Sequence, residues 1–592
     1  MTTNFKNIVK AATPHQLQTT KYSLQAAANQ SAMEALIASY VPSFFYIPKP
    51  LHDHKTHVTK PNFINFHQSS PIPSWSFSSS TYKKNTPGPF KVFTISSPPS
   101  SSSTVSTENT PPPPEPELET DNKEEKFDWF SEWYPVMPVC DLDKRVPHGK
   151  KVLGIDIVVW WDKNENSWKV FDDACPHRLA PLSDGRIDKL GRLQCAYHGW
   201  CFNGSGDCKL IPQAPLDGPQ VHTFKKACAR AYPSVVQHEM VWFWPNTDPE
   251  YKDIITKKKP PFIPEMDDPS FSKFWINRDI PYGYEVLLEN ILDPAHVPYA
   301  HYGVMEIDQP PKVKVDREGG KPLDIVVEQL DINGFSGKHL WDSAKFVAPC
   351  TYYNYNDPVA FQSNILLHGP PPAGTDHKKK KLVEQQRMLL FFFCIPVSPG
   401  NSRLIWGIAK NFNSWNDNII PRWIRHIVSN IVVDSDLHLL HIEEQKIMEV
   451  GPANWHKACF VPTKSDAFVV GFRRWLNKYS DGQINWGVGK FSSGTLPPTP
   501  PRQQLMDRYW SHVVNCRSCS CAYKSLNALQ VVLQVISIVS IGIAAATKQS
   551  AIPAIARTAM ASMAVIGFAA SRLLAHFIYK NFHYHDYDHT LH

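Results

Sequence analysis

Two short runs place thiols and imidazoles where they can meet. Cys175-Pro176-His177 and Cys195-Ala196-Tyr197-His198 are separated by seventeen residues, and Gly199-Trp200 follows the second. Two thiolates and two imidazoles presented at one point form the ligand set of a Rieske [2Fe-2S] centre, in which two histidines replace two cysteines on one iron. Neutral imidazole donates less negative charge than thiolate, so the reduction potential rises and a milder reductant can fill the cluster. The competing reading, a Cys2His2 zinc site, groups like ligands with like, and the mixed C-x-H and C-x-x-H order does not fit it. Such a centre relays one electron and does no chemistry on carbon by itself.

A second set lies downstream, in the run Glu289 to His301. Asp293, His296 and His301 follow at steps of three and five. The first pair can share a helical face; the second step overshoots a turn, so Pro298 is expected to break the helix and let His301 swing back. Two histidines and a carboxylate on one face of an iron leave the opposite positions open for dioxygen and substrate. Asp293 serves better as a bridge than as a ligand, so the third ligand must come from elsewhere. The run Asp434-Ser435-Asp436-Leu437-His438 on a long late helix is the candidate region, with Asp436 favoured over Asp434. A histidine pair on a helix is commonly structural, but an electron relay nearby needs somewhere to send its electron.

A third pattern, Cys516-Arg517-Ser518-Cys519, is a C-x-x-C pair able to close a disulfide reversibly. Cys521 leaves the pairing open, and an inert thiol cluster is the alternative.

The elements that must position these groups follow from composition and periodicity. A chain of 592 residues is too long for one core. Its net charge of +6 forms no sustained basic stripe and gives no reason to invoke nucleic acid. Twelve cysteines without a disulfide framework point to a reducing compartment, and Cys201 and Cys208 read as two buried thiols rather than a bridge. Before Glu108 the only acidic residues are Glu34 and Asp53, amid Ser, Thr, Lys and Pro, the composition of an organelle transit peptide or a disordered leader. Met33 would itself make an ordinary start, leaving residues 1–32 as an upstream extension.

From Phe127 to Asn246 short apolar runs alternate with turn residues, an all-β pattern around the cluster loops. Beyond Pro260-Pro261, strands are expected at Asp324 to Leu330, Met388 to Ile395 and Leu404 to Ala409, and helices at Tyr284 to Asp293 and Pro421 to Glu449. Leu526 to Thr547 is 22 apolar or uncharged residues, about 33 Å of helix. A second segment, Thr558 to Tyr579, carries Arg572 and His576 near its end and would complete a transmembrane hairpin, with a buried core helix as the alternative. Arg502, Arg508, Arg517, Lys524 and Lys580 bias the flanking side toward the positive-inside face of the membrane, while Lys548 and Arg557 in the loop oppose that bias.

The pairing of C-x-H-x17-C-x-x-H with N-x-x-D-x-x-H-x4-H and a late helical Asp resembles the α-subunits of Rieske non-haem iron oxygenases. Trp129 to Tyr134, Val139 to Leu142, Gly199 to Phe202 and Asp293 to Pro298 are similar to the plant plastid branch, that of pheophorbide a oxygenase and the translocon Rieske proteins. The runs Asp434 to His441 and Phe582 to Tyr587 are similar to its protochlorophyllide-dependent translocon members.

The resemblance implies an α+β protein: a β-rich Rieske domain, a helix-grip catalytic domain and a C-terminal transmembrane helical hairpin. The expected segments are 1–90 as leader, 91–126 as Pro/Ser-rich and acidic linker, and 127–248 as Rieske domain. They continue with 249–510 as mononuclear iron domain, 511–524 as C-x-x-C linker and 525–592 as hairpin and tail. By resemblance Cys175, His177, Cys195 and His198 hold the [2Fe-2S] cluster, and His296, His301 and Asp436 hold a mononuclear Fe(II). Asp293 links a cluster histidine to His296 across a trimer interface, and Cys516 with Cys519 is a thioredoxin target. Ferredoxin is the implied electron donor, dioxygen the co-substrate, and a chlorophyll-related tetrapyrrole such as protochlorophyllide a, chlorophyllide a or pheophorbide a the substrate. The location is the chloroplast inner envelope or thylakoid membrane, with the catalytic domains facing the stroma. The alternative is a redox-sensing or protochlorophyllide-gated component of the import translocon.

Overall fold

In the computed structural model, residues 125–302, 304, 322–339, 342–356, 387–412, 417, 419–487, 496–548, 551–587 and 589 are described. The expected leader and nearly all of the linker lie outside these residues.

The first strands arise where β-branched and aromatic residues crowd together. Strand β1 (Tyr134–Pro138) is followed by β2 (His148–Val152), β3 (Ile155–Asp162) and β4 (Ser167–Asp172). Leu153 and Gly154, both at positive φ, make the two-residue turn between β2 and β3. The same turn donates its N–H groups to Pro396 and Val397 at 2.7 and 2.9 Å, stitching the N-terminal region to a later strand. Four short strands follow, β5 (Arg186–Ile187), β6 (Leu193–Gln194), β7 (Cys201–Phe202) and β8 (Cys208–Leu210), forming one small antiparallel sheet. Strand β9 (Ala231–Tyr232) joins β4, while β11 (Met240–Phe243) pairs with β1 on one side and with β10 (Ser234–Gln237) on the other. Cys201 and Cys208 are buried free thiols, as expected in a reducing compartment.

A seven-stranded antiparallel sheet dominates the second half, in the order β12-β18-β17-β16-β15-β14-β13. Its edge strand β12 is Ser272–Ile280. The others run as β13 (Ile325–Asp331), β14 (Gly334–His339), β15 (Asp342–Val347), β16 (Thr351–Asn356), β17 (Met388–Ser398) and β18 (Asn401–Lys410). The three strands expected from sequence are therefore present within a few residues. Helix α1 (Tyr284–Leu292), the 29-residue α3 (Arg422–Val450) and α4 (Ala467–Ser480) lie against this sheet, and the single turn α2 (Val297–Ala300) follows α1. Trp129 packs on Trp475 and Tyr284 and donates its indole N–H to Ser480 Oγ at 2.7 Å, so the chain's early aromatic run is part of the same core.

The N-terminus of α1 is fixed by α3: Gly283 N–H donates to Glu444 Oε1 at 2.8 Å. Burial and the neighbouring Glu285 push the Glu444 carboxyl up to about 8. A raised folded pKa contributes stability that is complete below the unfolded value of about 4.3 and is lost as pH rises through about 8, at no more than about 1.4 kcal/mol per pH unit. Glu444→Gln keeps the acceptor for Gly283 and removes the titration. We expect it to flatten the fall in thermal midpoint between about pH 6 and about pH 9; parallel slopes for wild type and variant would reject this.

Helices α5 (Arg517–Ala546) and α6 (Ala554–Ile578) pair with each other and are long and apolar enough to cross a membrane. Ser537 Oγ donates to Ala564 O at 2.8 Å, and Gly567 allows close approach to Leu533 O. Outward-facing Val531, Val535, Ile538, Ile541, Val565, Ile566 and Phe568 are exposed rather than packed in a core. Tyr584 then bridges Asp507, and Arg502 forms a bidentate pair with Asp586, so the tail returns to the catalytic side.

Candidate active site

The two cluster loops share one backbone design. Cys175 N–H donates to Ala180 O at 2.9 Å and Leu179 N–H to Cys175 O at 2.8 Å; Cys195 N–H donates to Trp200 O at 2.9 Å and Gly199 N–H to Cys195 O at 3.1 Å. The fifth residue of each loop is left-handed, Leu179 at φ 58° and Gly199 at φ 75°. Glycine was the legible sign at one loop; leucine at the other gave none. Cys175 and Cys195 are buried, whereas His177 is exposed and His198 half-buried. The two imidazole rings lie 4.4 Å apart, and His177 stacks on Trp200 at 4.7 Å. Burial pushes the Cys175 thiol up to about 12, with the Cys195 thiol in hydrogen-bonding contact. Paired inner thiols and outer imidazoles fit the donor set of the cluster.

The second site is assembled from α1, α2 and α3. The helix does not break at Pro298 as expected. It ends at Leu292, because Pro294 disfavours helical geometry at Asp293, which adopts φ −101° and ψ 100°. Pro298 instead sits in the first turn of α2, where its missing N–H is not needed. His296 and His301 are the two caps of that single turn, which brings both rings to one point. Asp293 therefore shares no helical face with His296; Asp293 Oδ1 accepts from Ala295 N–H at 2.7 Å and Oδ2 lies 3.6 Å from His296 Nδ1.

The donor atoms of His296, His301 and Asp436 all lie within 4.8 Å of one another. The two histidine Nε2 atoms are 3.1 Å apart, and His301 Nε2 is 3.5 Å from Asp436 Oδ2. Ser435 donates to Val432 O at 2.6 Å, so its oxygen accepts from His301 Nδ1–H at 2.7 Å. That fixes the tautomer and leaves His301 Nε2 as a bare lone pair. Facing lone pairs at this separation suit two adjacent ligands of one ion, for which bonds of about 2.1 Å give about 3.0 Å. Burial and the neighbouring His296 hold His301 down to about 3, and burial pushes the Asp436 carboxyl up to about 6. For His296 burial is outweighed by Asp293 and Asp436, and its pKa is raised.

The choice between the two late acids is a matter of helical face. Residues two apart point about 200° apart around a helix. Asp436 faces the histidines, while Asp434 turns to Arg278 at 2.7 Å and to Arg508. Ser435, between them, was given no role from sequence, nor was the motif residue Asn290, whose amide lies 3.4 Å from His296 Nε2. The only sequence sign of Ser435 is that it immediately precedes the favoured ligand. We expect Ser435→Ala to weaken iron retention about 10- to 100-fold, measured by competition with a chelator. Retention equal to wild type would show that the hydroxyl does not orient His301.

Cys516 and Cys519 are buried together beside His426 of α3, ten residues before Asp436 on that helix, and Cys521 is exposed.

A Pheophorbide a oxygenase family profile matches residues 346–454, and a Rieske [2Fe-2S] domain profile matches residues 132–225. The chain is 57% identical to the chloroplastic protochlorophyllide-dependent translocon component 52 of Arabidopsis thaliana, over 81% of this chain and 88% of the relative. It is 53% identical to the chloroplastic flavonoid 8-hydroxylase 2 of Ocimum basilicum, over 80% and 88% respectively. It is 36% identical to the chloroplastic pheophorbide a oxygenase of Arabidopsis thaliana, over 80% and 87%. Identity at this level across most of each relative makes the chain a member of the pheophorbide a oxygenase family of Rieske non-haem iron oxygenases, an oxidoreductase whose cofactors are a Rieske [2Fe-2S] cluster and a mononuclear iron.

Proposed function

We propose that the chain is a chloroplast membrane oxygenase that inserts oxygen from dioxygen into a chlorophyll-related tetrapyrrole, drawing electrons from ferredoxin. The observation that carries the reading is the convergence of His296, His301 and Asp436 in a chain that also carries the two cysteine-histidine loops. In this reading Cys175, His177, Cys195 and His198 hold the cluster, and His296, His301 and Asp436 hold the iron. When bound, the cluster supplies single electrons and the iron supplies the site of dioxygen activation.

The chain's own residues set the conditions. His177 and His198 form the outward edge of the cluster loops, where an electron can leave. Asp293 holds its carboxylate beside His296 Nδ1 and is the electron bridge to the cluster of a neighbouring subunit in a homotrimer. Ser435 holds the His301 proton on Nδ1. The hairpin of α5 and α6 anchors the protein in the inner envelope or thylakoid membrane, with the catalytic domains in the stroma. Cys516 and Cys519 retain the proximity a thioredoxin-controlled pair would need.

The tetrapyrrole rests on two relatives, one named for pheophorbide a and one for dependence on protochlorophyllide. A flavonoid is the second reading, favoured by a relative of 53% identity named as a flavonoid 8-hydroxylase. The first relative's name also keeps a role in the import translocon in play. The deciding experiment supplies the detergent-solubilised full chain with reduced ferredoxin and isotopically labelled dioxygen. Protochlorophyllide a, chlorophyllide a, pheophorbide a and a flavone are offered separately, and products are read by mass spectrometry. Label in a pigment is expected; label only in the flavone replaces the substrate, and label in none with both iron centres loaded favours the translocon role.

A further inference from the structure

A second group of metal-binding side chains lies outside the oxygenase site. His426 on α3, His512 and Cys516 in the segment before α5, and Cys519 in its first turn place one donor atom each within 4.8 Å of all the others. We propose that these four residues form a four-coordinate structural zinc site that clamps the root of the membrane hairpin to the catalytic domain.

Three observations support it. The first is spacing. His512-x3-Cys516-x2-Cys519 groups three donors within eight residues, and the cysteines have the C-x2-C step common in zinc sites. The second is distance. Cys516 Sγ and Cys519 Sγ lie 3.4 and 3.3 Å from His426 Nδ1, and Cys519 Sγ lies 3.3 Å from His512 Nε2. A tetrahedral zinc with Zn–S of about 2.3 Å and Zn–N of about 2.05 Å separates nitrogen from sulfur by about 3.6 Å.

The third is how the rings are held. His426 Nε2 lies 2.8 Å from Trp275 O, and His512 Nδ1 lies 2.6 Å from Asn277 O. A carbonyl only accepts, so each ring spends its N–H there and turns a lone pair toward the thiols. Metal-bound histidines are oriented in this way. Trp275 and Asn277 are alternate residues of β12, the edge strand of the large sheet, so their carbonyls share its free side. Asp279 N–H continues that side by donating to Ser511 O at 2.9 Å.

All four residues are 2% exposed or less, among apolar neighbours that include Val513 and Phe582. The exposed Cys521 takes no part. The clamp would join β12, α3 and α5, and on α3 it lies about 15 Å along the axis from Asp436.

The test uses the full chain purified in detergent from zinc-supplemented cells, with cluster and mononuclear iron quantified. Elemental analysis is expected to find one zinc per chain beyond the iron, and a mercurial reagent is expected to release it to a zinc-binding dye. Cys516→Ser/Cys519→Ser should lose the zinc while retaining the cluster spectrum. Because that variant can fail to fold, wild-type protein made with cobalt in place of zinc provides an independent readout. It should show thiolate-to-cobalt charge transfer and intense tetrahedral ligand-field bands. Iron-loaded protein with no zinc and no cobalt-thiolate absorption overturns the proposal, as does a Cys516–Cys519 disulfide in the metal-replete protein.

Discussion

Asp436→Asn is expected to empty the mononuclear iron site and lower product formation about 100-fold or more, while the absorbance of the cluster is unchanged. The substitution preserves shape and replaces a carboxylate with a neutral amide. Asp436 is 7% exposed and lies beside two histidines, one of which has its far nitrogen committed to Ser435. No other described acid can take its place. Asp434 faces the other way into two arginines, and Asp293 spends one oxygen on the Ala295 backbone. Iron per chain, cluster absorbance and turnover should be measured on the same preparation. Asp436→Asn that keeps its iron and turns over normally would remove Asp436 from the ligand set.

What could be read from the sequence was what depends on spacing along the chain. The two cysteine-histidine loops were legible because C-x-H and C-x-x-H fix where each side chain falls, and the loops are short and locally hydrogen-bonded. The strands at β13, β17 and β18 were legible as short runs of apolar and β-branched residues, and the helices α1 and α3 because apolar positions recur at three and four. The route by which His301 reaches His296 was misread, because Pro294 ends α1 before Pro298 can act. Ser435 was invisible, since its role depends on which way α3 is rolled against α2. The same roll decides between Asp434 and Asp436, and the chain carries no local mark of it. His426 could not be joined to His512, Cys516 and Cys519 either. It lies 86 residues before His512, and the β12 carbonyls that orient the two imidazoles are more distant still.

The acid two residues before Asp436 should behave in the opposite way. Asp434→Ala is expected to destabilise the protein by about 3–5 kcal/mol, because it strands two buried cations rather than removing a ligand. Arg278 and Arg508 are 2% and 0% exposed, and Asp434 is 1% exposed. Its oxygens meet Arg278 Nη1 at 2.7 Å and Arg508 Nε at 2.7 Å. Arg508→Met should cost less, because Asp434 keeps Arg278 and an unpaired guanidinium is not left behind. Denaturant unfolding of the detergent-solubilised protein separates the cases; a loss under about 1 kcal/mol for Asp434→Ala would show the trio to be solvated. The damage would also have a direction. Arg508 Nη1 reaches Lys580 O and Asn581 O at 3.4 and 3.3 Å, and Tyr587 of the same tail donates its hydroxyl to Tyr302 O, next to His301. Losing Asp434 therefore loosens the tail that rests on the iron site. Any fall in activity should follow unfolding and recover at low temperature, whereas the loss in Asp436→Asn should persist at every temperature.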